Sequence, residues 1–581
     1  MFREKIENLI KQTLKKKLNI KDFKNLELEL ATPPDFKMGD YSWPCFSLAK
    51  IVKKSPREIA EILAEGIKPT KEIEKVEAVI GYLNFFVNKI LLAEITIKKT
   101  LKKKDNYGKG NLAKTSKDKK IILEFSSPNT NKPQHLGHLR NNVLGEALAS
   151  ILKSQNFKII KTNLINDRGI HICKSMLAYQ KFGNKETPKS SGLKGDYLVG
   201  KYYVLFGEKV KENQKLLEEA QELLRKWEAG DKETRKLWQK MNSWVYQGFK
   251  KTYKKLGVTF DRYDFESKVY ESGKIEVLKA FKKGICYKRE DGAIEIDLNK
   301  YNLDKKVLIR ADGTTIYIIP DIGVAKLRYK KEKFDQCLYI TGFEQEYHFK
   351  VLFKILELFN PDFNWHDKLF HFPYGMVFLP EGKIKSREGK TVEADELIKE
   401  IEDLAKKEIL KREPKLPQNE LKKRAEKIAL SSLKFFLLKF TPKQEIHFDP
   451  QKEVSFEGAT GPYLQYTYAR IKSILRKAGP DKLKTKLNFA SFKTEEEKEL
   501  IKLIYTFADI LSLAAINYNP AMLCEYLLQL ASLFNKFYQK IPVLKAETKE
   551  LKEARVALIK CAAIVIKNGL KILGIETLEK M

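Results

Sequence analysis

The first apolar residues of the chain recur at helical spacing. Ile6, Leu9, Ile10 and Leu14 fall on one face, which predicts an amphipathic opening helix. Turn-rich stretches follow at Ala31-Thr-Pro-Pro-Asp35 and Met38-Gly-Asp-Tyr41, then helix and strand pieces through Tyr82-Leu-Asn-Phe-Phe-Val87. The polar, glycine-bearing run from Lys102 to Asn111 reads as a linker. Beyond it, Ile121-Ile-Leu-Glu-Phe125 is a short apolar run behind lysines, the pattern of a buried strand. Helical spacing runs from about His138 to Lys153 through Leu144, Ala147, Leu148, Ile151 and Leu152, and Lys158 to Ile165 is a second strand. Strand, loop, helix and strand in this order form a βαβ unit, so a parallel sheet with helices on both faces is expected.

Residues from about 185 to 260 break that alternation. Leu216, Leu217, Ala220, Leu223, Leu224 and Trp227 mark an amphipathic helix, and the region reads as a helical insertion between two halves of the sheet domain. Strand candidates resume at Ala293–Asp297, Thr315–Ile319, Cys337–Ile340 and Phe370–Phe378. From about 395 onward the pattern is helical, as in Lys427–Phe440, Tyr463–Arg476, Glu497–Ala515 and Met522–Lys540. The expected class is α/β, a doubly wound parallel sheet with a helical insertion, preceded by an α+β domain and followed by an all-α bundle. The divisions fall at 1–115, 116–395 with its insertion, 396–455 and 456–581.

Composition fits several domains. The chain has 581 residues and 43% hydrophobic content, too long for a single core. Its formal net charge of +34 points to a polyanionic partner, nucleic acid first. Lysine far outnumbers arginine, so part of this charge reads as surface filler. The six cysteines are scattered, with no Cys-x-x-Cys pair, which argues against a zinc knuckle and fits a reducing compartment. The charged N-terminus has no apolar signal region, and no apolar run reaches membrane-spanning length. A soluble, cytoplasmic protein with no membrane association and no protein-held metal is expected.

The candidate chemistry begins in the loop after the first buried strand. His135-Leu-Gly-His138 lies between a strand and a helix. In parallel sheets ligands sit outside the carboxyl ends of strands, and a helix N-terminus there offers free N–H groups to a phosphate. Two histidines three apart can face one anion, and Gly137 leaves room for close approach to the backbone. Spacing alone leaves a satisfied structural histidine as the alternative. The surrounding Glu124-Phe-Ser-Ser-Pro-Asn-Thr-Asn-Lys-Pro-Gln-His-Leu-Gly-His-Leu-Arg140 resembles the HIGH motif of class I aminoacyl-tRNA synthetases, which carry a Rossmann-type sheet, and resembles arginyl-tRNA synthetases in particular. Lys161-Thr-Asn-Leu-Ile-Asn-Asp-Arg-Gly-Ile-His171 is similar to the same family, and the likeness runs through nearly the whole chain.

The resemblance implies a reaction and its residues. ATP, with Mg2+, and L-arginine would give arginyl-adenylate, and the arginyl group would pass to tRNA-Arg. His135 and His138 match positions that bind ATP phosphates and stabilise charge in the transition state, a task of positioning and electrostatics. Lys383-Ile-Lys-Ser-Arg387 stands where the mobile KMSKS loop should, but Ser386 occupies the slot of the second lysine, with Lys385 and Arg387 beside it. Lys132, just before the histidines, matches a lysine thought to replace that charge. Lys383 and Lys132 thus join the histidines as catalytic candidates. Further ATP contacts are implied at Gly137, Gly342, Glu344, His348, Met376 and Val377.

For the amino acid, a planar, permanently charged guanidinium calls for carboxylates in forked geometry plus neutral acceptors. Tyr317 and Asp321 are four apart at the start of a helical stretch, so both can point into one pocket, and they resemble the family's arginine-holding Tyr-x-x-x-Asp motif. Glu266 matches a second guanidinium-binding acid. Asn129, Gln345 and Ser127 match contacts to the amino and carboxylate groups, with Glu124 and His138 alongside. For tRNA, Tyr463, Tyr466 and Arg470 offer aromatic and cationic surface for anticodon bases. The bland alternative is helix core, since Leu464, Tyr468 and Ile471 share a face. The resemblance places the terminal Met581 near the anticodon and the N-terminal unit at the tRNA elbow; Gly39-Asp-Tyr41 reads as a structural turn, and the chain is expected to be a monomer. A silent tRNA-binding paralog and a class I synthetase for another amino acid are the competing readings. The presence of His135, His138, Lys383, Asp321 and Glu266 speaks against the first, and the arginine-pocket residues against the second.

Overall fold

A computed structural model of the chain describes all residues except 21, 24–27, 29, 32, 34–37, 111, 113–117, 381–391 and 480–486. Two compact units emerge. The first comprises residues 1–107, 474–506 and 532–564; the second comprises 108–473, 507–531 and 565–581. The helices that the periodicity assigns to one C-terminal bundle are therefore divided between them.

In the first unit the helix Phe2–Leu18 buries Phe2, Ile6, Ile10 and Leu14, and Asn19 ends it in the left-handed conformation. A three-stranded antiparallel sheet has the order β1 (Tyr41–Pro44), β3 (Tyr82–Val87), β2 (Ile73–Val79). Asp40 is buried where the chain enters this sheet. It accepts from the Val87 amide at 2.9 Å and pairs with Lys89 at 2.5 Å and Lys502 at 3.1 Å. The turn around Gly39 is thus a structural one, with Gly39 at φ 113°.

The second unit is built on a five-stranded, all-parallel sheet. Its strands are β4 (Lys120–Glu124), β5 (Lys158–Ile165), β6 (Arg262–Phe265), β10 (Gln336–Gly342) and β11 (Leu369–Tyr374). The order is β11-β10-β4-β5-β6. The winding reverses between β10 and β4, and the crevice beyond their carboxyl ends is where such sheets bind ligands. The helix Leu136–Ser154 follows β4, and the insertion between β5 and β6 is helical, with Gly195–Glu212, Lys215–Glu228 and Lys232–Leu256 as its long members.

Three strand expectations change. Thr315–Ile319 is not a strand: Thr315 makes only an isolated bridge to Ile309, and a helix, Ile318–Glu332, begins within the run. Ile318 and Ile319 are buried in its first turn, and Pro320 suits that turn because its missing N–H has no partner to lose there. Ala293–Asp297 does contain a strand, β8 (Ile294–Ile296). It lies in a separate antiparallel sheet with β7 (Tyr287–Lys288) and β9 (Lys306–Ile309). Phe370–Phe378 splits into β11 and the short β12 (Val377–Phe378), which pairs with β13 (Ile446–His447). All six cysteines are buried free thiols.

Candidate active site

A cavity of about 1010 Å³ opens at the reversal of strand order. It is lined by the loop after β4, by residues at the ends of β10 and β11, and by the first turns of two helices, Glu266–Lys282 and Ile318–Glu332.

The histidine pair caps its own helix. His135 is the N-cap; its Nδ1 accepts from the Gly137 amide at 3.2 Å. The Nδ1 of His138 accepts from the His135 amide at 3.3 Å. Both Nδ1 atoms being acceptors, each neutral ring carries its proton on Nε2. Burial, with Lys132 adding repulsion, lowers His135 to about 4, and burial, His135 and Lys132 hold His138 well below the usual range. At neutral pH the cavity therefore presents two neutral N–H donors, and Lys132 lines the same wall. Among the described residues no acidic side chain pairs with Lys132.

The loop carrying this pair is held in a rarely populated backbone conformation. Ser126 and Ser127 have φ values of 77° and 42°, unusual for residues with side chains and common near functional sites. Polar side chains from other elements hold the loop. Asn141 accepts from the Ser126 amide, Asn163 from the Ser127 amide at 3.1 Å, and Asn166 donates to the Ser127 carbonyl at 3.0 Å. The Ser126 hydroxyl lies 2.7 Å from that of Tyr253. Sequence reasoning missed Asn141, Asn163, Asn166 and Tyr253. For Asn141 and Asn163 the signal was an asparagine inside a run that otherwise reads as buried helix or strand; Asn166 and Tyr253 carried none.

At the other end Glu266 opens its helix and lines the cavity. Burial pushes its carboxyl up to about 7 against the opposing pull of Arg168, with Asp321 and Asp167 adding to the rise. Asp321 lies in the first turn of the neighbouring helix, with Tyr317 as its N-cap residue. The Asp321 Oδ2 is 2.8 Å from His348 Nε2, and the Tyr317 ring stacks on that imidazole at 5.2 Å. Asn129, Ser127, Gln345 and Glu344 line the space between these acids and the histidines. Met376 and Val377 also line the cavity, whereas Gly342, which ends β10, is not among its lining residues. A Cβ on Gly342 would fall 2.3 Å from the Glu344 carboxylate.

Glu124 lines the cavity but is not free to face it alone. Its Oε2 accepts from Arg328, whose Nε donates to Asp264 at 2.8 Å. Burial raises the Glu124 carboxyl while Arg328 opposes the rise. Glu124 thus belongs to a buried acid–guanidinium–acid network behind the wall as well as to the wall. Lys383, Lys385, Ser386 and Arg387 lie outside the described residues. Tyr463, Tyr466 and Arg470 are far from this chemistry in sequence and half-buried on the helix Gly461–Lys477. Arg470 lies over the Tyr466 ring at 4.8 Å, and Leu464, Tyr468 and Ile471 are core. Met581 is partly exposed. Among the described residues no group of three His, Cys, Asp or Glu side chains forms a metal cluster.

Neutral donors for phosphate and acids for a cation, set at one strand-order reversal, are the arrangement of a class I aminoacyl-tRNA synthetase catalytic domain. Residues 96–449 match the family model described as tRNA synthetases class I (R), catalytic domain. Residues 4–87 match the arginyl tRNA synthetase N terminal domain, and 464–581 the DALR anticodon binding domain. A protein of Treponema denticola named arginine–tRNA ligase is 45% identical, the alignment covering 96% of this chain and 95% of that one. One of the same name from Parabacteroides distasonis is 43% identical over 95% of each. The solved arginyl-tRNA synthetase of Thermus thermophilus superposes with a TM-score of 0.82 at 26% identity, covering all of both chains. The chain belongs to the arginyl-tRNA synthetase family.

Proposed function

We propose that the protein is an arginine–tRNA ligase that works through the residues of this one cavity. The observation that carries the reading is the pairing, in about 1010 Å³, of two neutral imidazole donors with a recess bearing Glu266, Asp321 and Tyr317. The recess suits a guanidinium: two carboxylates and a phenol can meet donors on several edges. A side chain with fewer donors would leave a buried acid unpaired, at a cost of roughly 3–5 kcal/mol. With the guanidinium seated there, Asn129, Ser127 and Gln345 hold the amino and carboxylate groups, and the carboxylate points toward the histidine wall.

The carboxylate oxygen then attacks the α-phosphorus of ATP. A new O–P bond forms, the bond to the bridging oxygen of the β-phosphate breaks, and pyrophosphate leaves. His135 and His138 donate N–H groups to the phosphate oxygens as charge shifts, and Lys132 adds positive charge from the same wall; preset donors in a partly dry site cost no reorganisation. Mg2+ enters as part of the nucleotide substrate, where it would screen the phosphate charges. In the second half-reaction a terminal ribose hydroxyl of tRNA-Arg, the 2′ one first, attacks the acyl carbon; the ester bond forms, the bond to the phosphate oxygen breaks, and AMP leaves with the hydroxyl proton passing to its phosphate or to solvent. The face bearing Tyr463, Tyr466 and Arg470, together with Met581, is assigned to the anticodon end.

We further assign the protein to the cytoplasm as a monomer. Buried free thiols support a reducing compartment, and among the described residues no helix is long and apolar enough to cross a membrane. The test of the main reading is ATP–pyrophosphate exchange across all twenty amino acids, with and without tRNA. Exchange should be specific to arginine and should need tRNA. No exchange under either condition would leave a tRNA-binding protein without catalysis, and full exchange without tRNA would remove the dependence alone.

A further inference from the structure

The arginine two residues beyond the second histidine is fully buried, and among the described residues no carboxylate pairs with it. Instead the two Nη groups of Arg140 donate to main chain, while its buried Nε has no hydrogen-bond partner. Its Nη1 donates to the carbonyls of Gly375 at 2.6 Å and Met376 at 2.9 Å; its Nη2 donates to those of Pro442 at 3.0 Å and Gln444 at 2.7 Å. A buried cation without a counter-ion is costly, so a site that keeps one needs the geometry it gives. Only a planar guanidinium presents donors in forks that can meet pairs of carbonyls on two segments at once; an ammonium offers three donors from one point.

The two segments it ties are informative. One, 375–376, leads into Met376 and Val377, which face the cavity. The other, 442–444, leads into β13, which pairs with β12 through Val377 and Ile446. The Gly375 amide donates to Pro442 at 3.0 Å, and the Ile446 amide donates to Met376 at 3.0 Å. Packing here leaves no slack: a Cβ on Gly375 would fall 2.6 Å from the carbonyls of Lys443 and Gln444. The first turn of the helix that carries Arg140 also carries His135 and His138.

We propose that Arg140 is a positioning residue that fixes the distance between the phosphate-facing histidines and the Met376–Val377 wall, and so sets the seat for the nucleoside part of ATP. The proposal rests on the ligase reading above. The acids that the ligase reading assigns to the guanidinium, Glu266 and Asp321, stand on other helices, so the clamp bears more on ATP than on arginine.

The experiment compares Arg140→Lys with Gly375→Ala, which strains the same clamp from its opposite side. ATP binding is read directly by titration calorimetry, and the KM values for ATP and arginine by exchange in the presence of tRNA. Both variants should weaken ATP about tenfold or more while the KM for arginine stays within about twofold. Equal losses for the two substrates, an unchanged ATP affinity with only a lower melting temperature, or failure of both variants to fold would each overturn the proposal. Absence of arginine-dependent exchange in the unmodified protein would instead overturn the ligase reading, and the ATP titrations would still decide the clamp.

Discussion

Glu266 is the residue whose chemistry makes the sharpest demand. Burial pushes its carboxyl up to about 7 by disfavouring the charge. A guanidinium beside it favours the charged form, so binding arginine lowers that value and releases a proton. Affinity should therefore fall about tenfold per pH unit below 7 and level off above it. Calorimetric titration of arginine from about pH 5.5 to 8.5 would show this slope, and Glu266→Gln should weaken binding and flatten it; a wild-type affinity independent of pH would refute the assignment. At this scale much of the site was legible. The histidines, Lys132, Glu266, Tyr317 and Asp321 stand out by spacing and by resemblance, and all of them line one cavity. What stayed hidden needed three dimensions. Arg328 meets Glu124 across 204 positions of sequence, and the hold on Ser126 and Ser127 comes from asparagines whose partners are backbone atoms of a strained loop.

Among elements, two helices decide how far apart the acids stand. Glu266–Lys282 and Ile318–Glu332 meet through glycines. A Cβ on Gly273 would lie 1.9 Å from the Ile319 carbonyl, and one on Gly323 would lie 2.4 Å from the Ser272 hydroxyl and 2.7 Å from the Val269 carbonyl. Their N-termini carry Glu266 and Asp321, so the closeness of the backbones sets the width of the guanidinium recess. Gly323→Ala should destabilise the protein by about 1–3 kcal/mol through overpacking, and should raise the KM for arginine more than that for ATP. Thermal melts and exchange kinetics check both; equal change in the two KM values would show that the crossing does not govern the recess. The sequence legibly contained the parallel sheet, because an apolar run, a helical stretch and a second run repeat the βαβ signature. It did not reveal the start of the Ile318 helix. Ile316-Tyr-Ile-Ile319 is apolar throughout, and a short apolar run fits a buried strand as well as a buried first turn. Nor does alternation say which sheet a strand joins, and β8 lies in a separate antiparallel one.

For the whole molecule, the net charge of +34 becomes a statement about partners. Lysines that contact phosphates release counter-ions on binding, so tRNA affinity should drop steeply and log-linearly with salt, while arginine affinity, set in a partly dry recess, should change little. Filter binding of tRNA and calorimetry of arginine across the same salt series would test this; parallel declines would mean the charge acts on both. Both units also carry thiols that solvent cannot reach. Burial pushes Cys45, Cys173 and Cys337 up to about 12 and Cys286 to about 11, and raises Cys524 and Cys561 as well. Protonated and enclosed, they are inert to alkylating reagents until the chain opens. Since Cys45 and Cys561 belong to one unit and the other four to its companion, the protein carries its own set of unfolding clocks: the order in which iodoacetamide marks them tells which half lets go first.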